Sequence, residues 1–202
     1  MLMGAASANI PTILLPGGPS LRGDWKGQEL GSCTDCRRFW TELRAGNITQ
    51  DDYDSMEESI YRSPGHCMVA GTASTMSVIS EAMGLTLKGA ASIPAVDSRR
   101  LTLSNKTGQR IVEMVNENIK IENFLKKENF HNGISALMSF GGSTNAIIHM
   151  LAIAGRTDVN IDLDDFNTIS EKTPVIVNLK PAGEMLMEDL HYAGGVSGIL
   201  KN

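Results

Sequence analysis

Cys67 sits in the run R-S-P-G-H-C-M-V-A-G-T-A-S-T-M at residues 62–76. A thiolate is a nucleophile and a ligand for soft metal centres. His66 precedes it, and Gly71, Thr72, Ser74 and Thr75 follow within one helical turn or two. A Gly/Ser/Thr-rich entry into a helix offers free backbone N–H groups and hydroxyls, which suit an anionic ligand or a cluster. The competing reading is a small buried hydrophobe, the usual fate of a free cysteine.

Two further groups have chemistry in their spacing. Cys33 and Cys36 form C-x-x-C within G-S-C-T-D-C-R-R. Such a pair is either redox-active or half of a zinc site. Adding Cys67 and His66 gives four ligands, but adjacent H-C does not make a spaced knuckle. The preferred reading puts Cys36 on the core face of its helix and Cys33 in the loop before it. The third group is G-G-S-T-N at residues 141–145. It offers another anion-binding helix start, although close helix packing over the glycines is the preferred reading. His149 is expected in the core, and Asp164 with Asp165 at a helix start.

The elements that must position these groups follow from periodicity. Residues 9–15 (N-I-P-T-I-L-L) suggest a short buried strand ending in the turn P-G-G-P. Residues 21–32 read as loop. Cys36, Phe39, Trp40 and Leu43 share one helical face over 34–45. Thr49 with Asp52 is a capping-box signature for a helix to about residue 61. Helices are expected over 72–82, 106–119, 130–140, 144–154 and 185–193, with 144–154 apolar nearly all round and therefore buried. Residues 159–163 and the β-branched run V-I-V-N-L at 175–179 suggest buried strands. The expected fold class is α/β, with helices packed around a small, mostly parallel sheet in three layers (α/β/α).

Composition narrows the partners. Lys and Arg number 18 against 23 Asp and Glu, and the net charge of -5 is carried without any basic block. That argues against nucleic acid or an anionic membrane as partner. No apolar run approaches membrane-spanning length. The N-terminus lacks the pattern of a signal peptide. Three cysteines, an odd count, fit a reducing cytoplasm better than a disulfide scaffold.

Taken together, P-G-H-C-M-V-A-G-T-A-S-T-M, E-A-M-G-L at 81–85 and F-G-G-S-T-N-A-I-I-H-M-L-A-I-A resemble the dihydroxy-acid and phosphogluconate dehydratase family. N-I-P-T-I-L-L-P-G-G-P and P-A-G-E-M-L-M-E-D-L-H-Y-A-G-G-V match the same family in order, so the resemblance covers essentially all 202 residues. G-T-A-S-T-M looks more like the sugar-acid branch than the branched-chain amino acid branch.

The resemblance implies a hydro-lyase acting on a small-molecule dihydroxy acid or aldonate, homo-oligomeric at full length. It implies an iron–sulfur cluster ([2Fe-2S] or [4Fe-4S]) held by three cysteines, with Mg2+ at the substrate carboxylate and a Ser base. Cys67 matches the third cluster cysteine, and Thr72, Ser74 and Thr75 fall on the substrate side. In the family, the other two cysteines and most Mg2+ ligands precede the part matched by residues 1–7. A β-rich C-terminal domain with the Ser base follows the part matched here. Residues 1–202 are thus expected to be a partial iron–sulfur domain, inactive alone. The rival expectations are a non-catalytic subunit or gene remnant, and a small zinc module using Cys33, Cys36 and Cys67.

Overall fold

The computed structural model describes residues 1–201. In chain order its elements are α1 (Leu2–Ala8), β1 (Gly23–Trp25), β2 (Gln28–Leu30), α2 (Ser32–Arg44), α3 (Gln50–Ile60), α4 (Thr72–Ala82) and α5 (Ser98–Asn116). A 3-10 turn (Ile121–Asn123) precedes α6 (Lys127–Phe140), α7 (Asn145–Ala154), α8 (Leu163–Lys172), α9 (Met187–Tyr192) and α10 (Gly195–Ile199).

The helix α4 is the axis of the molecule. Its Ser74, Thr75, Ser77, Val78, Ile79, Ser80 and Ala82 are all buried. A serine-rich helix tolerates this because its hydroxyls bond within the structure: Ser77 donates to the Ala73 carbonyl at 2.9 Å and Ser80 to that of Met76 at 2.6 Å. Across one side lies α6, at Gly133. A Cβ there would stand 3.0 Å from Met83 and 3.1 Å from both Ile79 and Met150, so the missing side chain is what lets α4, α6 and α7 converge. Ile79, Met83, Phe130, Ile134, Leu137, Met150 and Phe166 fill the main core. A second core joins Val78 and Phe140 to Met187, Leu190 and Val196 of the C-terminal helices. A third, with Trp25, Leu30, Phe39, Tyr53 and Met56, holds the hairpin against α2 and α3.

The α/β class holds as a mixed, helix-rich fold, but the sheet differs from expectation. Among the described residues the one ladder is the antiparallel pair β1–β2. Parallel pairing is limited to single bridges, Pro19 with His66 and Leu179 with Met185. The hairpin falls in a stretch expected as loop. Lys26 and Gly27, with φ of 51° and 78°, make the two-residue turn whose twist suits paired strands. The expected strands at 9–15, 159–163 and 175–179 form no ladder. Asn9 caps α1 and Leu163 begins α8, and isolated bonds tie the stretches, such as Leu14 N–H to the Leu85 carbonyl at 2.8 Å and Ile176 N–H to that of Ser139 at 2.8 Å. Val175 is 71% and Ile176 44% exposed, so the β-branched run does not mark a buried strand here.

The helix expectations hold in existence and shift at their ends. Thr49 and Asp52 form the expected capping box, and α4 spans the expected residues. The start of α5 is eight residues earlier than expected, because the Asp97 carboxylate caps it by accepting the Arg99 N–H at 2.8 Å. Only one face of α7 is buried, through Ala146, Met150, Ile153 and Ala154. Ile148 is 68% exposed, and His149 lies at the surface, not in the core.

Candidate functional site: a thiol at the head of a hydroxyl-lined helix entry

The turn that carries Cys67 is built against the P-G-G-P loop. Ser20 N–H donates to the His66 carbonyl at 2.8 Å and His66 N–H to the Gly18 carbonyl at 2.9 Å. Gly65, at φ 134°, lets the two backbones approach this closely. A Cβ there would stand 2.7 Å from the Pro19 carbonyl carbon. The loop itself hangs on buried Arg100, whose guanidinium donates to the Pro16 carbonyl at 2.7 Å, to that of Ala90 at 3.0 Å and to that of Ile93. Glu81 of α4 holds the neighbouring stretch by accepting from Gly89 N–H at 2.7 Å and Ala91 N–H at 2.8 Å. Burial pushes the Glu81 carboxyl up, against the pull of those two donors.

Beyond Cys67, Met68 and Ala70 are braced by the 180–187 segment. Met187 N–H donates to the Met68 carbonyl at 2.9 Å and Ala70 N–H to the Lys180 carbonyl at 2.8 Å. Met68, Val69 and Leu186 make a small apolar cluster with Cys67 packed on it. The thiol is half-buried and its Sγ donates to the Ser32 hydroxyl at 3.0 Å. That hydroxyl also lies 2.8 Å from the Tyr61 hydroxyl and donates to Cys33 Sγ at 3.7 Å. Burial, with the two thiols nearby, pushes the Tyr61 phenol up against the Ser32 bond.

His66 faces the start of α4. Its Nδ1 is 3.3 Å from the Ser74 hydroxyl, which donates to the Cys67 carbonyl at 2.9 Å. Burial pushes the imidazole pKa down, which favours the neutral ring, and Nε2 has no partner among the described residues.

The hydroxyls expected on the substrate side divide by position. Ser74 and Thr75 are 0% exposed and are already engaged. Ser74 holds the Cys67 carbonyl, and Thr75 accepts the Ser143 N–H at 3.0 Å. Thr72 is half-buried at the helix mouth, with Ser143 Oγ at 3.1 Å and Asn145 Nδ2 donating to it at 2.9 Å. The G-T-A-S-T-M and G-G-S-T-N stretches therefore meet, and the starts of α4 and α7 face one another. Packing by glycine is part of this: a Cβ on Gly142 would stand 2.7 Å from Phe140 and 2.9 Å from Thr75. Ser143 and Asn145 were legible only as a weak helix-start motif, and Ser32 and Tyr61 carried no sequence signal.

The C-x-x-C pair does not act as a unit. Cys36 Sγ turns into the hairpin core, 3.5 Å from the Tyr53 hydroxyl, while Cys33 turns to Ser32. Cys36 thus faces the core as the preferred reading had it, Cys33 lies in the first turn of α2 and not in the loop before it, and the alternative four-ligand zinc grouping is not assembled. Among the described residues no three His, Cys, Asp or Glu side chains are gathered for a metal ion. The donor chemistry at Cys67 still fits one corner of an iron–sulfur site: a free, half-buried thiol held on a fixed turn by the Ser32 hydroxyl.

A turn-borne thiol leading into α4, whose start faces that of α7, defines the class of site. The chain belongs to the family described as dihydroxy-acid/6-phosphogluconate dehydratase N-terminal, which matches residues 1–202. It is 51% identical to the putative dehydratase IlvD1 of Rhizobium meliloti (strain 1021) over 98% of this chain and 35% of that protein. It is 46% identical to the L-arabinonate dehydratase of Rhizobium leguminosarum bv. trifolii over 100% of this chain and 35% of that one. A dihydroxy-acid dehydratase of Sulfurisphaera tokodaii is 43% identical, over 100% and 36%. The chain thus spans about a third of the length of these relatives.

Proposed function

We propose that this chain supplies one corner of the cluster site of a longer cytoplasmic, homo-oligomeric hydro-lyase that removes water from a sugar acid or related 2,3-dihydroxy acid. The product is an enol that tautomerises to a 2-oxo acid. The observation that carries this reading is Cys67, a thiol on a turn whose carbonyl Ser74 of α4 holds, at the end of that helix where Thr72 meets Ser143 and Asn145. Relatives named for L-arabinonate and dihydroxy acids support the substrate class.

Each residue has a defined task. Cys67 would be one ligand of an iron–sulfur cluster, which when bound would supply Lewis-acid chemistry toward the 3-hydroxyl. The remaining cluster ligands and most of the Mg2+ ligands come from the rest of the longer protein. Ser74 and His66 hold the Cys67 carbonyl and so fix the direction of the thiol. Thr72 and Asn145 meet the polyol or carboxylate oxygens, and Thr75 keeps Ser143 in place for the same contact. The facing starts of α4 and α7 favour negative charge there.

The test is an anaerobic assay of the iron- and sulfide-reconstituted longer protein on a panel of aldonates and branched 2,3-dihydroxy acids, trapping 2-oxo acid as its semicarbazone. Aldonates are expected to give product, and the 202-residue chain alone is expected to give none. No product from the longer protein on any panel member, or turnover by the chain alone, overturns the reading.

A further inference from the structure

Cys33 is a chemically competent group that the proposed reaction does not use. Its C-x-x-C partner faces away, into the core beside Tyr53. Cys33 itself is exposed. Its sulfur and that of Cys67 both rest on the Ser32 hydroxyl oxygen, at 3.7 and 3.0 Å. One small group therefore separates two thiols that are remote in sequence. The arrangement is built, because Ser32 holds φ 50°, a left-handed conformation that non-glycine residues rarely adopt. Asp35 secures the bend by accepting the Gly31 N–H at 2.5 Å while Lys180 grips the same carboxylate oxygen at 3.0 Å.

We propose that Cys33 and Cys67 form a reversible disulfide that withdraws Cys67 from metal ligation. The effect on ligation rests on the reading of Cys67 given above, whereas the cross-link does not. With hydrogen peroxide as oxidant, the exposed Cys33 sulfur attacks one peroxide oxygen, the O–O bond breaks, and Cys33 becomes a sulfenic acid with release of water. The Cys67 sulfur then attacks the Cys33 sulfur, the S–O bond breaks and a second water leaves. The two thiols lose two electrons and two protons, and hydrogen peroxide takes up both. Rotation of the Ser32 hydroxyl about χ1 clears the path for the sulfurs to reach a bond length of about 2.05 Å. A dithiol reductant restores both thiols by exchange.

The test treats the metal-free 202-residue chain with hydrogen peroxide, blocks remaining thiols with iodoacetamide and maps peptides without reduction. A monomer lighter by two hydrogens, a linked Cys33–Cys67 peptide, an alkylated Cys36 and reversal by dithiothreitol are expected. Cys36→Ser should keep the link and Cys33→Ser should abolish it, with helix content unchanged by circular dichroism. A Cys33–Cys36 link, only intermolecular links, or over-oxidised Cys67 beside alkylatable Cys33 would overturn the proposal. Repeating the map on iron- and sulfide-loaded longer protein separates the two readings. Loading should slow the link. Equal linkage with and without loading contradicts Cys67 as a ligand, and no linkage in the metal-free chain contradicts the pair.

Discussion

Asp35 shows how much of this site depends on one side chain. Its buried carboxylate accepts the Gly31 N–H, the Lys180 ammonium at 3.0 Å and the Arg38 guanidinium at 3.0 Å. Burial alone would raise its pKa, but those three donors outweigh burial and hold it below the usual carboxylate range. A lowered folded-state value means the stabilisation is complete above the unfolded pKa, near 3.9, and is lost as the pH falls through the folded one. Asp35→Asn should therefore cost about 2 kcal/mol at pH 7. In urea melts, the gap to the native chain should narrow below about pH 4 as the native carboxylate protonates. A gap that is constant with pH would contradict this role. At this scale the sequence was uneven in what it exposed. Cys67 was legible because its neighbours form a long motif. Ser32 was not, because a serine at positive φ leaves no pattern in a single sequence.

Among the elements, the contact between the P-G-H-C turn and the P-G-G-P loop decides where the thiol points. Gly65→Ala places a Cβ against Pro19 and Ser20 backbone atoms at a φ that L-residues rarely adopt. A loss of about 2–3 kcal/mol is expected, combining backbone strain with overpacking. Because the turn must move off the loop, Cys67 should also react faster with iodoacetamide. Unchanged melting and unchanged Cys67 reactivity would count against the turn as the positioning device. Helices were legible because capping residues and periodicity act locally, as in Thr49–Asp52 and the buried face of α4. The strands misled for the opposite reason. Residues 175–179 have the composition of a buried strand, yet a ladder needs a run of paired residues, and among the described residues Leu179 makes only a single bridge, to Met185. The β1–β2 hairpin was overlooked because its Lys26-Gly27 turn is a weaker signal than Asn-Gly.

Over the whole molecule, two of the three cores meet on α4, through Ile79 and Val78, and the Cys67 turn lies between the hairpin and the C-terminal segment. Arg22 couples those two regions by pairing with Glu29 at 2.5 Å, Asp189 at 2.6 Å and Glu188 at 3.1 Å. A groove of about 630 Å³ lined by Ile176, Val177, Met185, Leu190 and Tyr192 touches neither Cys67 nor Thr72. The proposed chemistry therefore belongs to the thiol and the facing helix starts. No helix among the described residues is long and apolar enough to cross a membrane. With one fitting thiolate corner in these residues, the account assigns the chain a share of a cluster site. The most direct measurement is iron and acid-labile sulfide per chain in the longer protein after anaerobic reconstitution, native against Cys67→Ala. The account predicts that Cys67→Ala loses the iron and the visible cluster absorbance while circular dichroism stays native. Undiminished iron and sulfide in Cys67→Ala would contradict it.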